Sequence, residues 1–341
     1  MRIRSWLVAA VVLTACTADV ADEAPSVEED DAPVPSTEDV AAEVENDPEV
    51  EDDPVRVAAG PDPETALLAE VMVRLLEVAD LPAEVVPFPD ARDSRQALET
   101  GQVDARPGYT GETWLETLER PDPPGDGRES FEAVQSHDAG RGIVWLRPRF
   151  LDGLGEPPAN ATFAFVVAGP PSVDAGLTSV SQLATRLSED TEATLCVDQD
   201  FASRADGLRA VLAAYSVRSD QPVLAAEPDE VVAAVLAGDC VAGLTTATDG
   251  IVWAAGLRPL IDDLQVFPAF LVVPQLREDA VEERPGLREA LGPLASHLST
   301  QRLGEWNARV AVGEPLEQVA EDAVAALAEE SGVLELDLTD D

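Results

Sequence analysis

The chain contains no lysine, so all 22 of its basic residues are arginine. It holds two tyrosines, two histidines, two methionines and three cysteines in 341 residues, and only 4% of it is aromatic. Each scarcity excludes something. Against those arginines stand 67 acidic residues, for a formal net charge of -45. Such a chain repels nucleic acid and anionic membrane surfaces over long range. His137 and His297 stand alone and the cysteines are not clustered, so no metal-ligand spacing is present. No Gly-x-Ser-x-Gly, P-loop, His-Glu-x-x-His or Cys/His pairing occurs. Gly60-Pro61-Asp62-Pro63-Glu64 is too poor in glycine to cradle a phosphate. These absences point to a protein that is not an enzyme and needs no cofactor. The acidity has two readings: a surface suited to high salt, or a field that concentrates small cations.

Long apolar runs are missing as well. Arg2 and Arg4 precede SWLVAAVVLTA, which is too short to span a bilayer. The run ends Leu13-Thr14-Ala15-Cys16, which resembles a bacterial lipobox. That resemblance implies a signal peptide over residues 1–15 and a lipidated Cys16 that anchors the chain outside the cell membrane. Residues 231–257 are apolar-rich, but Asp239, Asp249 and several glycines interrupt them, so they are no second span. Residues 17–54 carry sixteen acidic residues and no basic one. Together with Cys16 they read as an extended, self-repelling tether. Residues 331–341 form an acidic tail.

What is present begins at Val55. Apolar residues make up 45% of the chain, enough for a substantial core. Val55–Ala59 reads as a strand, and Glu64–Ala79 as a helix with Leu67, Leu68, Val71, Met72, Leu75 and Leu76 on one face. A strand (Ala83–Phe88), a helix (Ser94–Thr100) and a strand (Val103–Arg106) complete a β-α-β-α-β unit, which implies parallel strands with crossover helices. A second such unit runs through Ala193–Val197, Asp206–Tyr215, Val223–Ala226, Asp229–Ala237 and Cys240–Thr245. Strand-like Ile143–Leu146 and Thr162–Val167 lie between the units. Phe270–Val273 and helices near 287–299, 301–310 and 315–329 follow. The expectation is an α/β protein of two lobes, each a mostly parallel sheet flanked by helices, joined by two crossover strands. Residues 55–160 with 268–330 form lobe 1, and 161–267 form lobe 2.

With Cys16 lipidated, Cys196 and Cys240 remain in an exported chain. They are expected either to form a disulfide or to stay as two buried thiols. Their strands are the first and third of the second unit, which parallel sheets of this type usually set side by side.

Ligands in such sheets sit beyond the carboxyl ends of the strands. Tyr109 and Thr246 both lie there, one in each lobe. Tyr109 falls in RPGYTGETWLETL, a glycine-bracketed turn before a helix pattern that starts near Thr113. Such a turn presents groups, and it also serves as a plain strand-to-helix connector.

Several stretches in consistent order over about 55–327 resemble the glycine betaine/carnitine/choline-binding proteins of osmoprotectant ABC importers. They are ETALLAEVMVRLLE, QALETGQVDARPGYTGET, Trp145-Leu146-Arg147-Pro148, Asn160–Phe165, FASRADGLRAVLAAY, Thr248-Asp249-Gly250-Ile251 and Phe267-Pro268-Ala269-Phe270. The resemblance implies the type II periplasmic-binding-protein fold. It further implies capture of a small quaternary-ammonium solute for a permease with a cytoplasmic ATPase. A quaternary ammonium has no hydrogen-bond donor and is held by aromatic faces. By resemblance, the cage positions are Tyr109, Phe163, Thr246 and Phe270. Three positions depart. Thr246 stands where the family often has an aromatic ring. Where the family's turn ends in a threonine that helps to hold the solute's carboxylate, this chain has Glu112, and the family's glutamine used for the same purpose is Thr65. Either the ligand is a choline-like cation without a carboxylate, or Thr110 or Thr113 takes over that contact, or Glu112 points to solvent. A degenerate relative acting as a sensor or scaffold lipoprotein is the rival reading.

Overall fold

The computed structural model describes residues 53–150, 157–170, 176–204, 207–218, 220–225 and 228–331. The expected signal peptide, Cys16, the tether as far as residue 52, Asp206 and the tail from residue 332 lie outside the described residues.

Two five-stranded sheets carry the fold. In lobe 1 the strands are β1 (Val55–Ala59), β2 (Ala83–Pro87), β3 (Ala105–Tyr109), β4 (Ile143–Trp145) and, from much later in the chain, β10 (Val272–Arg277), in the order β2-β1-β3-β10-β4. In lobe 2 they are β5 (Phe163–Ala168), β6 (Leu195–Val197), β7 (Val223–Ala225), β8 (Ala242–Thr246) and β9 (Leu257–Pro259), in the order β7-β6-β8-β5-β9. The β1–β2, β1–β3, β6–β7 and β6–β8 pairs are parallel. β10 is antiparallel to β3 and β4, and β5 to β8 and β9. Four strands of each sheet therefore share one direction, and the strand entering from the other lobe runs against them. Of Phe270–Val273, expected as a strand, Val272 and Val273 open β10 and Phe270 and Leu271 form its approach.

The crossing segments hold each other at the hinge. Ala161 N–H donates to Phe270 O at 3.0 Å, Phe270 N–H to Asn160 Oδ1 at 2.7 Å, and the Thr162 hydroxyl to Pro268 O at 2.5 Å.

The Pro63–Val78 helix starts where its sequence dictates. Asp62 caps it by accepting from Thr65 N–H at 2.9 Å, and Pro63 opens its first turn. All six residues of the expected apolar face are buried against the lobe 1 core. The C-terminal helices Gly286–His297, Thr300–Ala311 and Leu316–Ser331 pack around it. Helices Gly127–Asp138 and Val180–Glu189, which the apolar pattern does not announce, have low mean apolarity and bury only every third or fourth residue. The helix expected from Thr113 is instead a three-residue turn, Thr110–Glu112, followed by a five-residue π-helix, Thr113–Thr117.

Lobe 1 has one continuous core, whereas the lobe 2 core divides between the two faces of its sheet. Two buried carboxylates of lobe 1, Asp138 and Asp104, and the partly buried Glu112 face guanidinium groups. Arg95 grips Asp138 through two 2.7 Å bonds, Trp145 Nε1–H adds a third at 2.7 Å, Arg277 reaches Asp104 at 3.0 Å, and Arg106 reaches Glu112 at 2.9 Å. Burial alone pushes the Asp138 carboxyl up, but Arg95 and the Trp145 indole outweigh it and hold it below the usual range. In lobe 2, Cys196 and Cys240 are joined by a disulfide, with Sγ–Sγ 2.03 Å and Cα–Cα 5.6 Å. Cys196 lies in β6 as expected, but Cys240 precedes β8, which begins at Ala242. Among the described residues no helix is long and apolar enough to cross a membrane.

Candidate functional site

The turn after β3 is shaped by the strand that returns beside it. Tyr109 is registered with Val272 and Gly108 with Val273. A Cβ on Gly108 would lie 2.5 Å from the Gln275 side chain, and one on Gly111 would lie 2.5 Å from the Phe270 ring. Both glycines of Pro-Gly-Tyr-Thr-Gly thus make room for a side chain of the returning segment, and Phe270 rests directly on the turn. Thr110 locks the arrangement. It is fully buried, and its hydroxyl donates to Ala269 O at 3.2 Å and accepts from Leu271 N–H at 3.0 Å. Thr113 is also buried, and its hydroxyl faces Gln275 Nε2 at 3.5 Å.

Neither carboxylate-side substitute sits as a free group. The Glu112 oxygens accept from Arg106 Nη2 at 2.9 and 3.2 Å, and the Glu112 side chain is 16% exposed. Its charge is cancelled from within lobe 1, so the repulsion expected of it is largely screened. The Thr65 hydroxyl donates to its own cap residue, Asp62, at 2.5 Å. Arg106 Nη1 and Gln275 Oε1 are buried without a partner.

Tyr109 is half-buried at the end of β3 and its phenol donates to Glu64 Oε1 at 2.8 Å. Asn307, from the Thr300–Ala311 helix, gives one amide hydrogen to Glu64 Oε2 at 2.6 Å and the other to Thr248 O at 2.8 Å. The Thr248 side chain also bonds Glu64. This chain of contacts joins lobe 1 to lobe 2. Burial pushes the Glu64 carboxyl above the ordinary range, and the bonds from Thr248, Tyr109 and Asn307 offset part of that rise. Burial beside Glu64 also pushes the Tyr109 phenol well up, so it stays a neutral donor.

On the lobe 2 side Phe163 and Thr246 are register partners across β5 and β8. Phe163 is 38% exposed, unusual for a large ring, and its other neighbour is Phe201 at a centroid distance of 5.2 Å. Ala247 N–H donates to Thr162 O at 2.8 Å, which fixes this pair against the hinge that carries Phe270. The arrangement therefore sets Tyr109 and Phe270 together on lobe 1, and Phe163 and Thr246 together on lobe 2. Thr65 is committed to Asp62, and Thr110 to the returning segment at Ala269 and Leu271. Glu64, Thr248, Asn307 and Phe201 escaped the sequence reading. Asn307 had a signal, since it follows Leu303 and Trp306 on a buried helical face. Glu64 had none beyond its place in the first turn of a helix, where acids are common.

A cavity of about 650 Å³ lies beside the hinge, lined by Arg128, Phe150, Thr162, Phe163, Trp253 and Arg258 among others. Of the candidate cage positions only Phe163 borders it. Among the described residues no group of His, Cys, Asp and Glu is placed to hold a metal.

Two lobes, strands meeting at a hinge, and side chains from both lobes facing each other across it define a two-lobed solute-binding protein of the type II class. Residues 53–326 match the family described as the substrate binding domain of ABC-type glycine betaine transport system, and the chain belongs to that family. It is 30% identical over 279 residues to the glycine betaine-binding protein YehZ of Escherichia coli, covering 79% of this chain and 89% of that protein. The solved structure of apo YehZ superposes with a TM-score of 0.72 at 28% identity, over 80% of this chain and 98% of that one. A glycine-betaine-binding protein of Pseudomonas aeruginosa is 29% identical over 241 residues, covering 68% of this chain and 73% of the relative. The crystal structure of a glycine betaine/carnitine/choline ABC transporter protein shares the fold, with a TM-score of 0.69 at 20% identity, over 80% of this chain and 98% of that one.

Proposed function

We propose that the chain captures a quaternary-ammonium solute outside the cytoplasmic membrane, anchored by lipid on Cys16, and delivers it to a permease driven by a cytoplasmic ATPase. It is not an enzyme. The reading is supported by family membership and by three aromatic side chains at candidate positions on strand ends and hinge segments of the two lobes, Tyr109 and Phe270 on one and Phe163 on the other. Three aromatic faces give cation–π attraction that no hydrogen-bonding pocket gives to a head group without donors, about 2 kcal/mol for each desolvated contact. Thr246 leaves the fourth wall open. Lobe closure over the solute is a population shift set by contacts made only in the closed form.

Calorimetric titration of the protein with glycine betaine, choline, carnitine and proline in matched salt tests this. At least one quaternary ammonium binds, proline does not, and Phe270→Ala or Phe163→Ala weakens binding roughly thirtyfold. Absence of binding by all four solutes would hand the case to a sensor or scaffold role.

A further inference from the structure

The cavity of about 650 Å³ beside the hinge lies apart from most of the candidate cage. In each sheet the strand fed from the hinge has a neighbour on either side: β10 stands between β3 and β4, and β5 between β8 and β9. Tyr109 and Thr246 end β3 and β8. Phe150 follows β4, whereas Arg258 lies in β9 and Ile261 just after it. The cavity therefore opens at the opposite edge of the hinge and draws a wall from each lobe. Its lining is mostly apolar, and Ile261 there is 67% exposed. Its two guanidinium groups rest on rings, Arg128 over Phe150 at 4.6 Å and Arg258 over Trp253 at 5.6 Å. Both of its carboxylates are committed. Asp126 caps a helix by accepting from Glu129 N–H at 2.9 Å, and Asp262 accepts from the Tyr215 hydroxyl and from Phe267 N–H at 2.6 Å. Uncovered apolar surface beside guanidinium groups suits an occupant that brings apolar and acidic residues together.

Such a segment begins close by. Residues 332–341 read GVLELDLTDD, in which Leu334, Leu336 and Leu338 alternate with Glu335 and Asp337. An extended chain puts all three leucines on one face, which so short a segment cannot bury by itself. Glu330, two residues before the segment, accepts from Arg302 Nη1 at 2.9 Å, and Arg302 follows Gln301 in the cavity wall. Ten extended residues reach about 33 Å, enough to lie across the cavity. We propose that segment 332–341 docks in this cavity, its leucines on Phe150, Trp253 and Ile261 and its acids at Arg128 and Arg258, so that it straps lobe 1 to lobe 2. The leucines carry the contact, since a net charge of -45 opposes any acidic segment at long range and salt screens that repulsion. The strap leaves from lobe 1 and ends on lobe 2, so it restrains the angle between them. Nothing in this docking needs a solute in the cleft, so it stands apart from the cage reading.

The test is calorimetric titration of a synthetic GVLELDLTDD peptide into the full chain and into the full chain carrying Leu334→Ser, Leu336→Ser and Leu338→Ser. A tethered segment has an effective concentration of about 1 mM at its own site. The triple-serine chain binds the peptide with a Kd of about 100 µM or tighter, and the unchanged chain binds it at least about tenfold more weakly, because its own segment is already in place. Adding Arg258→Ala and Ile261→Ser to the triple-serine chain weakens the peptide at least about fivefold. Equal affinity for the two chains would show an open cavity in the full chain and overturn the proposal. So would no binding to the triple-serine chain at about 1 mM peptide, or binding that ignores Arg258→Ala with Ile261→Ser. Sedimentation separates the remaining arrangement: a monomeric full chain supports the strap, whereas a dimer that the three serines dissociate would put the segment into a second copy and overturn it. Betaine or choline binding enters none of these outcomes, so failure here and failure of the cage reading are told apart.

Discussion

The two lobes share a strand plan yet are held together by different chemistry. Lobe 1 buries charge, with Asp138 between Arg95 and Trp145, and Asp104 beneath Arg277, inside one continuous apolar core. Lobe 2 divides its core between two sheet faces and adds a covalent tie from Cys196 to Cys240. Its ion pairs Arg186–Asp190 and Arg218–Asp220 lie at the surface. The difference follows from how much apolar surface each lobe can gather. A large single core can desolvate charged groups if every one is matched, while a thin, divided core gains more from a restricted unfolded chain. A buried ion pair is therefore expected to resist loss of one partner poorly, and the cross-linked lobe to depend on its bond.

The sharpest way to break this contrast is Asp138→Ala. It leaves the buried Arg95 guanidinium with only its bond to Glu99, strands the Trp145 indole in the core and should cost about 3 kcal/mol. Amide hydrogen exchange should show lost protection in lobe 1, with lobe 2 retaining its own. If both lobes lose protection together, they unfold as one unit and the contrast is only local. The same carboxylate predicts an acid dependence. Its folded value lies below its unfolded value, so its contribution is full above the ordinary carboxylate range and disappears as pH falls through the depressed folded value. Urea midpoints of the wild type should fall over that window, and those of Asp138→Asn should be flatter.

Next in size is the double change Cys196→Ser with Cys240→Ser. It opens a loop whose ends are 44 residues apart and should cost about 2–4 kcal/mol, with protection lost first in lobe 2. An unaltered unfolding midpoint would mean that the sheet pairing of β6 and β8 suffices. Smallest is Arg218→Ala, at an exposed pair in lobe 2, which should leave the midpoint where it was.

The sequence carried the plan of both lobes because their β-α-β units are written in apolar periodicity. Leu67 to Leu76 line one helical face, and β1 spans the expected Val55–Ala59. It hid what depends on distant partners. Glu64 meets residues 45 and 243 positions away, so nothing local distinguishes it from any acid in a first helical turn. The π-helix at Thr113 was equally invisible, since TWLET has the composition of an ordinary α-helix. The rings of the candidate cage were visible because aromatics are scarce here. How each is seated was not, since Gly111 and Phe270 meet only after the chain has crossed the hinge twice.

That seating bears on how the site can change over generations. Phe270 lies flat on a glycine with no space beneath it, and Thr110 stitches the backbone on both sides of it. A bulkier ring at 270, or any side chain at 111, would disturb the turn that also carries Tyr109. Phe163, 38% exposed and paired in register with Thr246, packs on the Phe201 ring rather than on a backbone turn, and so is less tightly seated. For the proposed cage, drift in solute preference is thus channelled into one half of the molecule: a wall on lobe 2 can be rebuilt residue by residue, while one on lobe 1 is inherited whole.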